Sequence, residues 1–170
     1  MVFPCSAALW AVPAAAQAPD ASRVTGTWEH SLSSLKIPAN SGSLVRGEVT
    51  RYDEDGFNVS VGLTDPDTNT IATIYVFRTG LESVPVWLDR ASTVMLSNPV
   101  IGSVSDEALI TGNFDAPNSA GLNSGHRVVT SLSTGDFIST GVAMFSHDGW
   151  LLKIRMSSQS LDRAELDAAL

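Results

Sequence analysis

Chemistry-bearing residues are concentrated in "FSHDGWLLKIR", Phe145 to Arg155, which sets His147 beside Asp148 and then places Lys153 and Arg155 two positions apart. A histidine next to a carboxylate is a candidate general acid/base pair. Two cations at alternate positions of a strand project from one face, where they can take a carboxylate or a phosphate, and the guanidinium fork suits either. Arg127 lies in a second apolar run and joins this pair if the strand register brings it alongside. Lys153, Arg155 and Arg127 are therefore the candidate ligand-binding residues, for a small anionic ligand.

Other reactions lack their anchors. His30, His126 and His147 are separated along the chain, without the His-x-x-x-His or paired-cysteine spacing that builds a metal site. "DPDTNTI" opens like a calcium loop with Asp65, Asp67 and Asn69 at alternate positions. It has Thr70 where that loop needs glycine and Val76 where it needs a bidentate Glu, so an Asp-Pro turn is expected. There is no Gly-x-Ser-x-Gly elbow and no phosphate-cradling glycine loop followed by Lys-Ser/Thr. No catalytic residue, metal or cofactor is assigned. A hydrolase or lyase that uses His126 or His147 with a neighbouring carboxylate is the alternative to a binding role.

The elements that must position these residues read as hairpins. In "GFNVSVGL" Phe57, Val59, Val61 and Leu63 alternate with polar or small residues, the pattern of a half-buried strand. "SLVRGEVTRYDE" precedes it, and "TIATIYVFR", apolar on both faces, follows it. The turn-rich "DEDG" and "DPDTN" separate the three, so an antiparallel meander is predicted over about residues 44–78. "SVPVWLDRASTVML" then places Val84, Trp87, Leu88, Ala91 and Met95 at helical spacing behind Ser83 as the N-cap, and "SNP" ends the helix.

Residues 98–124 are the least legible, with a strand expected within "DEALITGNF" and a loop over "DAPNSAGLNSG". "HRVVTSL", "DFISTGVAMF" and "WLLKIRMS" form a second meander. Asp148-Gly149 makes the last of its turns, which puts His147 and Asp148 at a hairpin tip. "SLDRAELDAAL" closes as a helix with Ser160 as N-cap, and it runs to Leu170 without a C-cap, as an incomplete helix would. The expected fold class is α+β: one antiparallel sheet of two hairpin meanders, with a helix after each meander packed on the sheet.

The first residues, "MVFPCSAALWAVPAAAQAPD", follow the apolar, small, polar order of a secretory signal, with cleavage after Ala16 preferred to cleavage after Ala18 because of Pro19. No Lys or Arg precedes Arg23, so the basic start of such a signal is missing, as in a segment truncated at its start. The expected organisation is a signal segment at 1–16 and a single domain at 17–170, periplasmic or secreted. The only cysteine, Cys5, falls inside the signal, leaving a cysteine-free mature domain.

Of 170 residues 18 are acidic and 10 basic, a formal charge of −8, which disfavours nucleic acid and anionic membrane surfaces as partners. No apolar stretch long enough to span a membrane follows the signal.

"RGEVTRYDEDGFNVSVGL", "ATIYVFRTG" and "GVAMFSHDGWLLKIRMSS" with its closing helix resemble exported proteobacterial proteins of unknown function with a PsbP-like α+β fold, over about residues 40–170. The resemblance implies an antiparallel sheet flanked by helices and a binding or accessory role. With the other signals it gives the expectation of a non-enzymatic exported domain that binds a protein partner or a small ligand.

Overall fold

The computed structural model describes residues 20–170 apart from 101, 105–108 and 118–123; the expected signal segment 1–16 and Cys5 lie outside the described residues. The chain forms short strands β1 (Asp20–Arg23), β2 (Trp28–Glu29), β3 (Lys36–Ile37) and β4 (Asn40–Ser41). Long strands β5 (Leu44–Arg51), β6 (Asn58–Asp65) and β7 (Thr70–Phe77) precede helix α1 (Val84–Leu96). Strands β8 (Ile110–Phe114), β9 (Gly125–Ser131), β10 (Ser139–His147) and β11 (Trp150–Ser158) then lead to helix α2 (Arg163–Ala169).

Nine strands make one antiparallel sheet in the order β1-β5-β6-β7-β11-β10-β9-β8, with β4 pairing β5, and β2 and β3 form a separate ribbon. Both meanders and their turns lie where the alternation predicts, and β7 pairs β11 to join them.

The α+β class is overturned. The described chain is mostly β, with eleven strands against two short helices, and these helices sit on opposite faces of the sheet rather than forming a helical layer. The shift comes from segments without alternation. Four strands of two to four residues precede β5, while β8 forms within "DEALITGNF", where a strand is expected, and adds an edge to the sheet. Neighbours hold these strands in place. Arg46 is buried and donates through its guanidinium to the carbonyls of Ile37, Val24 and Gly26 at 2.6–2.7 Å, tying the N-terminal loop to β5.

Period two divides the sheet into two faces. On one, Val59, Val61, Leu63, Ala72, Val76, Leu152 and Met156 are buried beneath the β2–β3 ribbon and α2. Trp28 and Ile37 of the ribbon pack on Val49, Val59 and Val61, and Leu166 of α2 packs on Val129 and Met156. His30 locks the ribbon loop to the sheet. It is 2 % exposed, Ser33 N–H donates to its Nδ1, its Nε2 donates to the Gly56 carbonyl at 2.8 Å, and its ring meets Trp150 edge-on at 4.8 Å.

On the other face, Val84 and Met95 of α1 bury against Val128, Val142, Met144 and Leu151. α1 lies mainly over β9 and β10 and reaches Leu151 of β11 and Phe77 of β7 at its N-terminal end, and the rest of β11, β7 and β6 continues beyond it.

Helix ends differ from expectation. Ser83 is the N-cap of α1 by backbone position but makes no side-chain cap bond. The N-cap of α2 is Asp162 and not Ser160: its carboxylate accepts from the N–H groups of Ala164 and Glu165, and Glu165 returns the bond to Asp162 N–H. A carboxylate followed three residues later by Glu satisfies two orphan donors reciprocally, whereas Ser160 lies outside the first turn. Among the described residues no helix is long and apolar enough to cross a membrane.

Candidate functional site

Lys153 and Arg155 come from the middle of β11, and alternation points both to the α1 face. Their cross-strand partners on β7 are Tyr75 and Thr73, so the Tyr75 ring lies directly beside Lys153. The Lys153 ammonium stands 3.8 Å from the centre of that ring. Where α1 leaves the sheet uncovered, a cleft of about 550 Å³ opens between helix and strands. Tyr52, Tyr75, Phe77, Trp87, Lys153 and Arg155 line it, and Arg90 stands at its helical side.

The aromatic wall is fixed in place. Trp87 donates through Nε1 to the Leu81 carbonyl at 2.8 Å and meets Phe77 edge-on at 5.5 Å, and the Arg90 guanidinium lies 5.5 Å from the Trp87 ring centre. Tyr52 and Ser60 share a hydroxyl–hydroxyl bond of 3.0 Å.

The electrostatics of the two cations are unusual for an acidic protein. Neither Lys153 nor Arg155 has an ion-pair partner among the described residues, whereas Lys36 is paired with Glu29 and Arg127 with Asp167. Burial and then the neighbouring Arg155 lower the Lys153 pKa below the ordinary lysine value. Burial likewise lowers that of Arg155, against a smaller opposing effect of Tyr75. Burial raises the Tyr75 hydroxyl, with Tyr52 adding to the rise and Arg155 opposing it.

One Nη of Arg155 reaches Thr140 Oγ1 at a long 3.4 Å, and its buried Nε has no partner among the described residues. A desolvated charge without a counter-charge costs free energy, so this arrangement is suited to receiving an anion.

Arg127 does not join them. Its partner on β10 is Ala143, which in turn faces Ile154 on β11, so the register turns Arg127 to the opposite face. There its guanidinium makes two bonds, of 2.5 and 3.0 Å, to Asp167 of α2. The ion pair raises the pKa of Arg127 and lowers that of Asp167.

The histidines of the alternative reading sit apart from the cleft. His126 is bonded through Nδ1 to the side-chain amide oxygen of Asn113 at 2.7 Å, an amide and not a carboxylate. His147 lies 3.5 Å from Asp148, whose side chain is 82 % exposed at the hairpin tip. Asp65 is engaged by the backbone N–H groups of Asp67 and Thr68 and by the Ser43 hydroxyl, the Asp-Pro turn that the sequence predicts.

Sequence reasoning missed the helical and aromatic half of the cleft. Trp87 reads as core from its place on the apolar stripe, and it is half-buried at the cleft wall instead. Arg90, three residues on, is its helical neighbour, a spacing that could have flagged the pair. Compared with family models, curated proteins and solved structures, the chain matches none.

Proposed function

We propose that this protein is an exported, non-enzymatic domain that binds a small organic anion in the cleft between α1 and the β7–β11 strands. The observation that carries this reading is the pair Lys153 and Arg155, half-buried on one strand with no carboxylate partner among the described residues, beneath an aromatic wall. A structural ion pair would have its carboxylate beside it, as Arg127 has. A carboxylate or phosphate entering the cleft meets two cations already stripped of much of their water, and Tyr75, Phe77 and Trp87 offer ring faces and edges to its apolar body. The export reading is supported by the apolar, small, polar order of residues 1–20 and by the resemblance to exported proteins of unknown function.

Calorimetric titration with benzoate and phenyl phosphate tests the binding role. The wild type is expected to bind at least one of them saturably, and the Lys153→Met/Arg155→Met double variant to lose at least tenfold in affinity. No binding to the wild type, or equal binding to the double variant, would refute it.

A further inference from the structure

We infer that the cleft captures carbonyl-bearing acids covalently and reversibly, the Lys153 amine forming an imine with a 2-oxo acid or aldehyde acid whose carboxylate is held by Arg155. The inference rests on the anion-binding reading of the same cleft and adds a bond to it.

The geometry supplies three requirements together. Lys153 has no carboxylate partner among the described residues to hold its proton, it is shielded by the Tyr75 ring, and Arg155 projects from the same strand face. Residues two apart on a strand are rooted about 7 Å from each other, so two long side chains can converge on neighbouring groups of one small molecule. Burial and Arg155, which hold the Lys153 pKa below that of an ordinary lysine, raise the share of free amine. Desolvation beside a second cation is a general way to make a lysine nucleophilic. The ring face of Tyr75 offsets part of that effect by favouring the cation.

The step balances without an oxidant or reductant. The Lys153 ammonium first gives one proton to solvent water; the freed lone pair adds to the carbonyl carbon as the C=O π electrons move to oxygen, and a proton passes from nitrogen to that oxygen to give the carbinolamine. The hydroxyl then takes a proton back from solvent and leaves as water while the nitrogen lone pair forms the C=N bond, so that from ammonium to protonated imine the nitrogen keeps one positive charge and the carboxylate beside it stays paired.

The chain carries its own control, because Lys36 and Lys153 are its only lysines. Lys36 is 64 % exposed and paired with Glu29 at 3.5 Å. The experiment treats the protein at neutral pH with glyoxylate and cyanoborohydride, which fixes the imine as a stable amine, and maps the adducts by peptide mass spectrometry. Propanal, which lacks a carboxylate, runs in parallel.

Glyoxylate is expected to label Lys153 at least tenfold faster than Lys36, with the preference falling for propanal and in Arg155→Met. Equal labelling of the two lysines by glyoxylate, or faster labelling of Lys36, would overturn the imine. If benzoate still bound in that case, the anion site would stand without it; if benzoate also failed to bind, both readings would fall.

Discussion

Lys153 and Tyr75 are direct cross-strand partners, and the ammonium rests 3.8 Å from the centre of the phenol ring. Both residues line a cleft in which Arg155 is the next residue along the same face, and neither cation of β11 has an ion-pair partner among the described residues. Charge placed in this way costs folding free energy and is available to a ligand.

Arg155→Met is expected to leave the fold intact and raise its stability by about 0.5–1 kcal/mol, because methionine removes a half-buried cation and its unpartnered Nε while keeping most of the apolar stem. Urea unfolding midpoints measure it. Destabilisation beyond about 1 kcal/mol would make Arg155 a structural residue instead.

Asp167→Asn is expected to cost about 1 kcal/mol at neutral pH through loss of the two-pronged Arg127 pair. The Asp167 pKa is lowered in the folded state, so the stabilisation is fully present above the unfolded value of 3.8 and is lost as pH falls through the lower folded value. The gap between wild type and variant in urea melts should therefore close in acid. A gap that persisted unchanged below that range would assign the effect to packing of α2.

Gly149→Ala should destabilise by about 1 kcal/mol. Asp148 and Gly149 have φ of 48° and 77° between the paired residues His147 and Trp150, the two-residue turn with both central φ positive that suits a twisted hairpin. The nearest atoms to an added Cβ stand at 3.6 Å, so backbone conformation and not crowding sets the cost. An unchanged thermal midpoint would contradict this.

His30→Ala should cost about 2–3 kcal/mol, since it leaves the Gly56 carbonyl and Ser33 N–H without their buried partner and removes an edge contact from Trp150. Tryptophan fluorescence followed through denaturation reports the loss, and a change below about 1 kcal/mol would argue that the ribbon is held by Trp28 and Ile37 alone.

These residues also mark how far the sequence could be read. Alternation on β6 and β11, and the Asp148-Gly149 turn, located the long hairpins and put Lys153 and Arg155 on one face, because strand period and turn chemistry are local properties. Arg127 depended on the register of β9 against β10, which local pattern does not contain, and that register sends it to Asp167. The short strands β1–β4 carry no alternation: β1 and β4 are held by pairing with β5, and the β2–β3 ribbon by Arg46 and His30, long-range contacts that the α+β reading could not include. The Asp162–Glu165 capping box is legible from its spacing, but Ser160, two residues earlier, carries the same N-cap preference, and local pattern does not choose between them. The cleft arises because α1 covers only part of one sheet face, a tertiary fact that no segment of the chain states.

The most direct test of the central claim is the position of a bound anion. Crystals soaked with 4-bromobenzoate should show an anomalous bromine peak in the cleft against Tyr75, Phe77 or Trp87, with the carboxylate within hydrogen-bond distance of Lys153 or Arg155. A peak elsewhere, or an empty cleft at saturating 4-bromobenzoate, would contradict the account.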